Sequence, residues 1–195
     1  LIVRLNARFQ ETSNVRILRK GITSTIDFGD YDVVFGNIPF NRTSDVFRKV
    51  IKPPVRFDSC HLIVQAEAAY RLLGSGRPTE MALIAYPFVE VRIGMRIPRW
   101  AYRPAPSVDT VVLHFRTRKT PLISRSAYRD FGSFVKAVMR SGKRKLSRVV
   151  GGDMSYSRWR RICIAAGINP NESHLEMSMD QYVALFKAHA SSRNG

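Results

Sequence analysis

The sequence predicts an α/β fold: a largely parallel sheet over residues 1–120, continued by a small all-α part over residues 121–195. Three observations carry that expectation. Apolar runs of strand length recur at Val33-Val34-Phe35, at residues 61–64 and at residues 108–115, with short helical patterns between the earlier ones. Strands that alternate with helices build parallel sheets, whose ligands sit at the carboxyl ends of the strands. From about Ser124 the apolar spacing changes from the period of a strand to that of a helix.

Taken in order, residues 1–9 place Leu1, Leu5 and Phe9 on one helical face and Arg4 and Arg8 on the other. Residues 15–18 read as a short strand, and Gly21 opens an irregular stretch that runs to Asp30. Val33-Val34-Phe35 reads as a buried strand that stops at Gly36. Thr43 or Ser44 can cap a helix carrying Val46, Phe47, Val50 and Ile51 on one side, which Lys52-Pro53-Pro54 ends. Residues 61–64 are a strand, residues 67–73 a short helix stopped by Gly74-Ser75-Gly76. Residues 81–97 read as one long strand, or as two with a bend near Pro87. Residues 108–115 form the final strand after the turn Pro104-Ala105-Pro106. These last two strands follow each other with no helix between them, so one antiparallel member is expected. In the tail, three helical sets follow: Tyr128, Phe131, Phe134, Val135, Val138 and Met139; Trp159, Ile162, Cys163 and Ala166; Tyr182, Leu185, Phe186 and His189.

Composition narrows the function. Lys and Arg number 32 against 15 Asp and Glu, a net charge of +17. Residues 1–115 hold 16 basic and 10 acidic side chains (net +6), and residues 116–195 hold 16 and 5 (net +11). A domain this basic meets a polyanion, and its preference for arginine, which grips phosphate bidentately, favours nucleic acid over an anionic membrane. No apolar stretch is long enough to span a bilayer and charge appears at once at the start, so a cytoplasmic location is expected. Cys60 and Cys163 have no ligand spacing and read as small buried hydrophobes. His61, His114, His174 and His189 are scattered without metal spacing, and Asp27, Asp30 and Asp32 lack the glycine and glutamate of a calcium loop. No metal is expected.

The loop Asn37-Ile38-Pro39-Phe40 carries the chemistry. An exocyclic amine conjugated to a purine is a poor nucleophile, and fixed acceptors can favour the geometry of an attacking lone pair. The Asn37 side-chain oxygen and the Ile38 backbone carbonyl suit that role. Pro39 fixes the turn and removes a competing donor. Phe40 offers a flat face for an unstacked base. The ordinary alternative is a strand that ends in a turn containing Asn and Pro.

Further segments line up with one family. Phe35-Gly36-Asn37-Ile38-Pro39-Phe40-Asn41 is followed by Glu67-Ala68-Ala69-Tyr70-Arg71-Leu72-Leu73. Then come Ile97-Pro98-Arg99-Trp100-Ala101-Tyr102-Arg103-Pro104-Ala105-Pro106-Ser107-Val108 and Ala165-Ala166-Gly167-Ile168. In order and spacing the chain resembles the Erm-type 23S rRNA adenine-N6 methyltransferases and, more distantly, the small-subunit rRNA adenine dimethyltransferases. The resemblance implies a Rossmann-like class I methyltransferase sheet, N-terminally incomplete, with a basic helical rRNA-binding domain. It also implies S-adenosylmethionine as methyl donor and a monomer acting on protein-free 23S rRNA. Mono- or dimethylation of one adenine there blocks macrolide, lincosamide and streptogramin B antibiotics. On the matching positions, Asn37 would contact the donor's methionine end and the target amine, with Ile38 and Pro39 beside it. Phe40, where tyrosine is usual, would stack on the flipped adenine, and Tyr102 would be the second aromatic against it. Ile22 would lie beside the donor's adenine. Gly21 stands where the family usually has an aspartate, and glycine cannot accept through a side chain. Arg140, Lys143, Arg144 and Lys145, with Arg148, Arg158, Arg160 and Arg161, would hold rRNA phosphates and position the substrate without reading its sequence.

The resemblance also implies parts that do not match here. The family's first strand, its glycine-rich loop and its ribose-binding acidic residue would stand before Leu1, and without that strand the one at residues 33–35 would lack a neighbour. Three functions stay open: an rRNA adenine-N6 methyltransferase, a catalytically impaired rRNA-binding fragment of one, and a DNA adenine methyltransferase.

Overall fold

The computed structural model describes residues 1–21, 31–51, 57–73, 77–141, 146–152, 154–171 and 173–193. Four strands, β1 (Val33–Asn37), β2 (Ser59–Gln65), β3 (Val89–Ile97) and β4 (Thr110–Thr117), form one sheet in the order β1-β2-β4-β3. β1 is parallel to β2, and β4 is antiparallel to both β2 and β3. The α/β class with a single reversed strand is thus what forms. Helix α1 (Ile2–Phe9) buries no residue, while α2 (Thr43–Ile51), α3 (Ala66–Leu72) and α4 (Glu80–Ala85) pack on the sheet. Helices α5 (Tyr128–Arg140), α6 (Leu146–Val149), α7 (Tyr156–Ala166) and α8 (Met179–Arg193) follow it.

The helices form where apolar spacing and caps agree. In α2, Val46, Phe47, Val50 and Ile51 are all buried, and the Phe47 ring lies 5.7 Å from that of Phe115 on β4. The Ser155 hydroxyl caps α7 by accepting from the Arg158 N–H at 3.4 Å. Gly167, at φ 63°, closes that helix in the left-handed conformation that a glycine adopts without a Cβ clash. α7 buries Trp159, Ile162, Cys163 and Ala166, the set its spacing marks out. Phe186 of α8 packs edge-on against Phe131 and Phe134 of α5, at 5.2 and 5.5 Å. Cys60 and Cys163 are both buried.

Three expectations fail. Residues 15–18 form no strand; a strand needs a neighbour for its N–H and C=O groups, and none of the four strands pairs with this segment. Residues 81–85 are helical, because the Thr79 side chain caps α4 by accepting from the Ala82 N–H at 3.2 Å, and Ala82, Leu83 and Ala85 turn inward. β1 is a strand but not a buried one: Val33 is 59 % and Phe35 70 % exposed. The expected stops at residues 52–54 and 74–76, and the irregular stretch 22–30, lie outside the described residues.

The sheet's two faces differ sharply. On one, Cys60, Leu62 and Val64 of β2 and Val111, Leu113 and Phe115 of β4 are all at most 2 % exposed, in one core with α2, α3, α4 and α5. On the other, the cross-strand row Phe35–His61–His114–Arg92 spans all four strands, and no member of it belongs to that core. A parallel pair such as β1 and β2 is ordinarily covered on both faces; among the described residues only one face of this sheet is covered.

Candidate functional site

The carboxyl end of the sheet gathers the candidate residues. β1 ends at Asn37, which is paired in register with Ile63 of β2. The Ile38 N–H extends the ladder by donating to the Ile63 carbonyl at 3.0 Å, and the Ile38 side chain is 1 % exposed. The chain is thereby pinned at Ile38 and leaves the sheet at Pro39. The turn then uses later carbonyls: Arg42 N–H donates to Pro39 at 2.8 Å and the Thr43 hydroxyl donates to Phe40 at 3.1 Å. Among the described residues nothing donates to the Ile38 carbonyl or to the exposed Asn37 amide. Two acceptors are therefore held at the mouth of the sheet with their lone pairs unspent, the arrangement that an amine donor requires. Phe40 follows directly, 40 % exposed. It lines a cavity of about 190 Å³ with Thr43, Gln65, Arg71 and Thr79.

Tyr102 comes to the same end of the sheet. Thr110, the first residue of β4, is in register with Gln65, the last of β2. The Tyr102 hydroxyl is hydrogen-bonded to the Thr110 side chain at 2.7 Å. β1 and β4 flank β2, so the Asn37 loop and the Tyr102 anchor stand about 10 Å apart, two strand spacings. The connection between β3 and β4 is braced by Asp109. Its carboxylate pairs with Arg96 and lies 3.6 Å from Arg99, and its backbone carbonyl accepts from Ala66 N–H at 3.0 Å. The hydrogen bond from Arg96 holds the Asp109 carboxyl below the usual carboxylate range.

The donor side is thinner. Gly21 is described without regular structure, and a Cβ built on it would meet nothing within 4 Å, so it does not form a tight cradle. Ile22 lies outside the described residues. The carboxylates at this end of the sheet are engaged: Asp45 with Arg42 and Arg48, Glu67 with Arg71, Asp109 with Arg96 and Arg99. Among the described residues, Asn37 and Ile38 offer acceptors to an amine, and Gly21 offers no side-chain acceptor.

The basic surface is divided. Arg140, at the end of α5, and Arg148 of α6 line one cavity of about 530 Å³ with Ser141. Lys143, Arg144 and Lys145 lie outside the described residues. Arg158, Arg160 and Arg161 are exposed on α7 around the buried Trp159. Two features escaped the sequence reading. His61 and His114 are far apart in sequence, but cross-strand pairing sets their Nδ1 atoms 2.5 Å apart. Trp100 is 82 % exposed in the β3–β4 connection; the alternation Arg99-Trp100-Ala101-Tyr102-Arg103 was the signal for it. No group of three or more metal-ligating side chains occurs among the described residues, and no helix there is long and apolar enough to cross a membrane.

Comparison with known proteins bears on this geometry. A curated rRNA methyltransferase of Streptomyces thermotolerans is 36 % identical over 165 residues, 79 % of this chain and 52 % of its own length. An rRNA adenine N-6-methyltransferase of Corynebacterium diphtheriae is 33 % identical over 118 residues, 60 % of this chain and 46 % of its own. A probable ribosomal RNA small subunit methyltransferase A of Methanosarcina acetivorans is 30 % identical, over 75 % of this chain and 54 % of its own length. The chain thus spans about half the length of the curated relatives it matches. Among solved structures, the 23S rRNA methyltransferase ErmE superposes with a TM-score of 0.82 at 18 % identity, covering 97 % of this chain and 78 % of that one. A dimethyladenosine transferase from Plasmodium falciparum gives 0.71 at 15 %, covering 98 % and 79 %. These two likenesses establish the fold. The ribosomal RNA adenine dimethylase family model matches residues 1–191, and the chain belongs to that family.

Proposed function

We infer that this chain is the target-recognising and helical portion of an rRNA adenine-N6 methyltransferase of the Erm type, acting in the cytoplasm as a monomer on protein-free 23S rRNA. The observation that carries this is the pair of unspent acceptors, the Asn37 amide and the Ile38 carbonyl, at the carboxyl end of β1 next to the half-exposed Phe40. Methyltransferases of this family draw on S-adenosylmethionine, which supplies an electrophilic methyl group when bound. The chain's own part is to prepare the nucleophile. Asn37 and Ile38 accept the two N–H bonds of an adenine amine and orient its lone pair. Pro39 keeps the turn free of a competing N–H. Phe40 and Tyr102 hold the unstacked ring. Residues 1–120 form the catalytic portion and 121–195 the rRNA-binding portion, where Arg140 with Lys143, Arg144 and Lys145 takes phosphates. Methylation of the 23S adenine, once or twice, would confer macrolide, lincosamide and streptogramin B resistance.

The open sheet face, with Gly21 in place of the usual aspartate, favours a second reading for this chain by itself: an rRNA-binding portion that needs further residues, at positions including those beside Ile22 and Pro39, to hold the donor. Transfer of labelled methyl to protein-free 23S rRNA, 16S rRNA and DNA tests the assignment. Labelling of 23S alone supports the Erm-type target and would mean that the chain also holds the donor. Labelling of 16S or DNA in preference overturns the Erm-type target. RNA binding without transfer supports the second reading.

A further inference from the structure

We propose that Trp100 is a stacking platform for an unpaired RNA base next to the target adenine, and therefore a positioning residue for the substrate strand. The proposal rests on the rRNA reading above. Trp100 sits two residues from Tyr102, at the end of the sheet where Asn37 and Phe40 lie. Its side chain is 82 % exposed. An indole that large left in water on a short, ordered turn is costly for the free protein and suited to a flat partner.

The turn is built to hold the ring still. Ala101 N–H donates to the Pro98 carbonyl at 3.0 Å and Tyr102 N–H to the Arg99 carbonyl at 3.2 Å, which closes a 3₁₀ turn under Trp100. Arg99 also reaches the Ser107 carbonyl at 3.4 Å and the Asp109 carboxylate at 3.6 Å. Arg96 completes the brace on Asp109, and Arg103 follows Tyr102. A rigid aromatic among arginines matches single-stranded RNA: the ring takes a base face and the cations take the adjoining phosphates. A duplex offers no free base face to this ring. The geometry therefore selects an unpaired segment around the target.

Intrinsic fluorescence tests this directly, because the only other tryptophan, Trp159, is 2 % exposed with its indole N–H donated to the Pro170 carbonyl at 3.3 Å. The chain is titrated with an oligoribonucleotide carrying an unpaired adenosine and with the same sequence fully paired. The single strand should quench the emission and the duplex should not. Trp100→Ala should abolish the quenching and weaken single-strand binding about tenfold, within the range for losing one stacked base. Trp100→Phe should retain most of the affinity. Neither should change the salt dependence, since no phosphate contact is removed. Wild-type affinity in Trp100→Ala, or equal quenching by the duplex, would overturn the platform and leave the rRNA assignment standing. Absence of any RNA binding by the unaltered chain would overturn both.

Discussion

The two faces of the sheet contrast within a thickness of one strand. On one face Leu62, Leu113 and Phe115 are at most 1 % exposed beneath helices α2 to α5; on the other Val33 and Phe35 are 59 % and 70 % exposed. The residue types differ in part: the covered face is apolar, whereas the open one sets Val33, Phe35, Ile63 and Val112 among His61, His114 and Arg92. What also differs is whether the described residues supply a second layer. The lesson is that strand formation and strand burial are separate outcomes: β1 gains its hydrogen bonds from β2 on one side while its outward side chains stay wet. At the carboxyl end of the sheet Ile38 is pinned to β2 and Tyr102 to Thr110, while Asn37 shares the open face with Val33 and Phe35.

Substitution on the two faces should separate them most strongly. Phe115→Ala empties a packed position against Phe47 and is expected to cost about 3–5 kcal/mol, whereas Phe35→Ala should fall within about 0.5 kcal/mol of the parent. Urea unfolding midpoints check both, and a large loss for Phe35→Ala would mean that the face is covered in solution.

Next in size is the acid response of the closed helical part. His174 is 4 % exposed, and burial, then the charge of Arg77, lowers its pKa from the ordinary 6.5. The unfolded chain therefore binds this proton first, so stability is complete above pH 6.5 and is lost as the pH falls from there toward the lowered native value. Unfolding midpoints measured on either side of that pH should show the drop, and His174→Gln should flatten it. An equal drop in the variant would assign the effect elsewhere.

The smallest effect is the most pointed about openness. A Cβ at Gly94 would lie 2.0 Å from the Nε2 atom of His114. In a packed face that clash would cost about 1–3 kcal/mol. On an open face the imidazole swings outward, so Gly94→Ala should cost less than about 1 kcal/mol and break the His61–His114 contact. Thermal unfolding measures the first, and the imidazole proton resonances report the second.

Much of this was legible in the sequence wherever the determinant is local. The helical sets of α2, α5, α7 and α8 show in their own spacing, and Asn37-Ile38-Pro39-Phe40 is both a turn signal and a donor–acceptor pattern. Failures came where a partner decides. Residues 15–18 have strand composition but no strand beside them. Residues 81–85 are a continuous apolar run that passes for a buried strand, although Thr79, three residues before Ala82, was a visible cap signal. The burial of β1 could not be read from an apolar run alone, because such a run shows that a layer is wanted and not that one is present. The His61–His114 contact depends on the register of β2 against β4, which no local pattern encodes.

We propose that Asn37 and Ile38 present the target side of a methyltransferase site and that the described residues do not by themselves hold the donor. Paired calorimetric titrations of the chain, one with a protein-free 23S rRNA fragment and one with S-adenosylmethionine, test it most directly. Salt-dependent binding of the RNA with no saturable heat from the donor is the expected result. Saturable, micromolar binding of S-adenosylmethionine by the chain alone would contradict it.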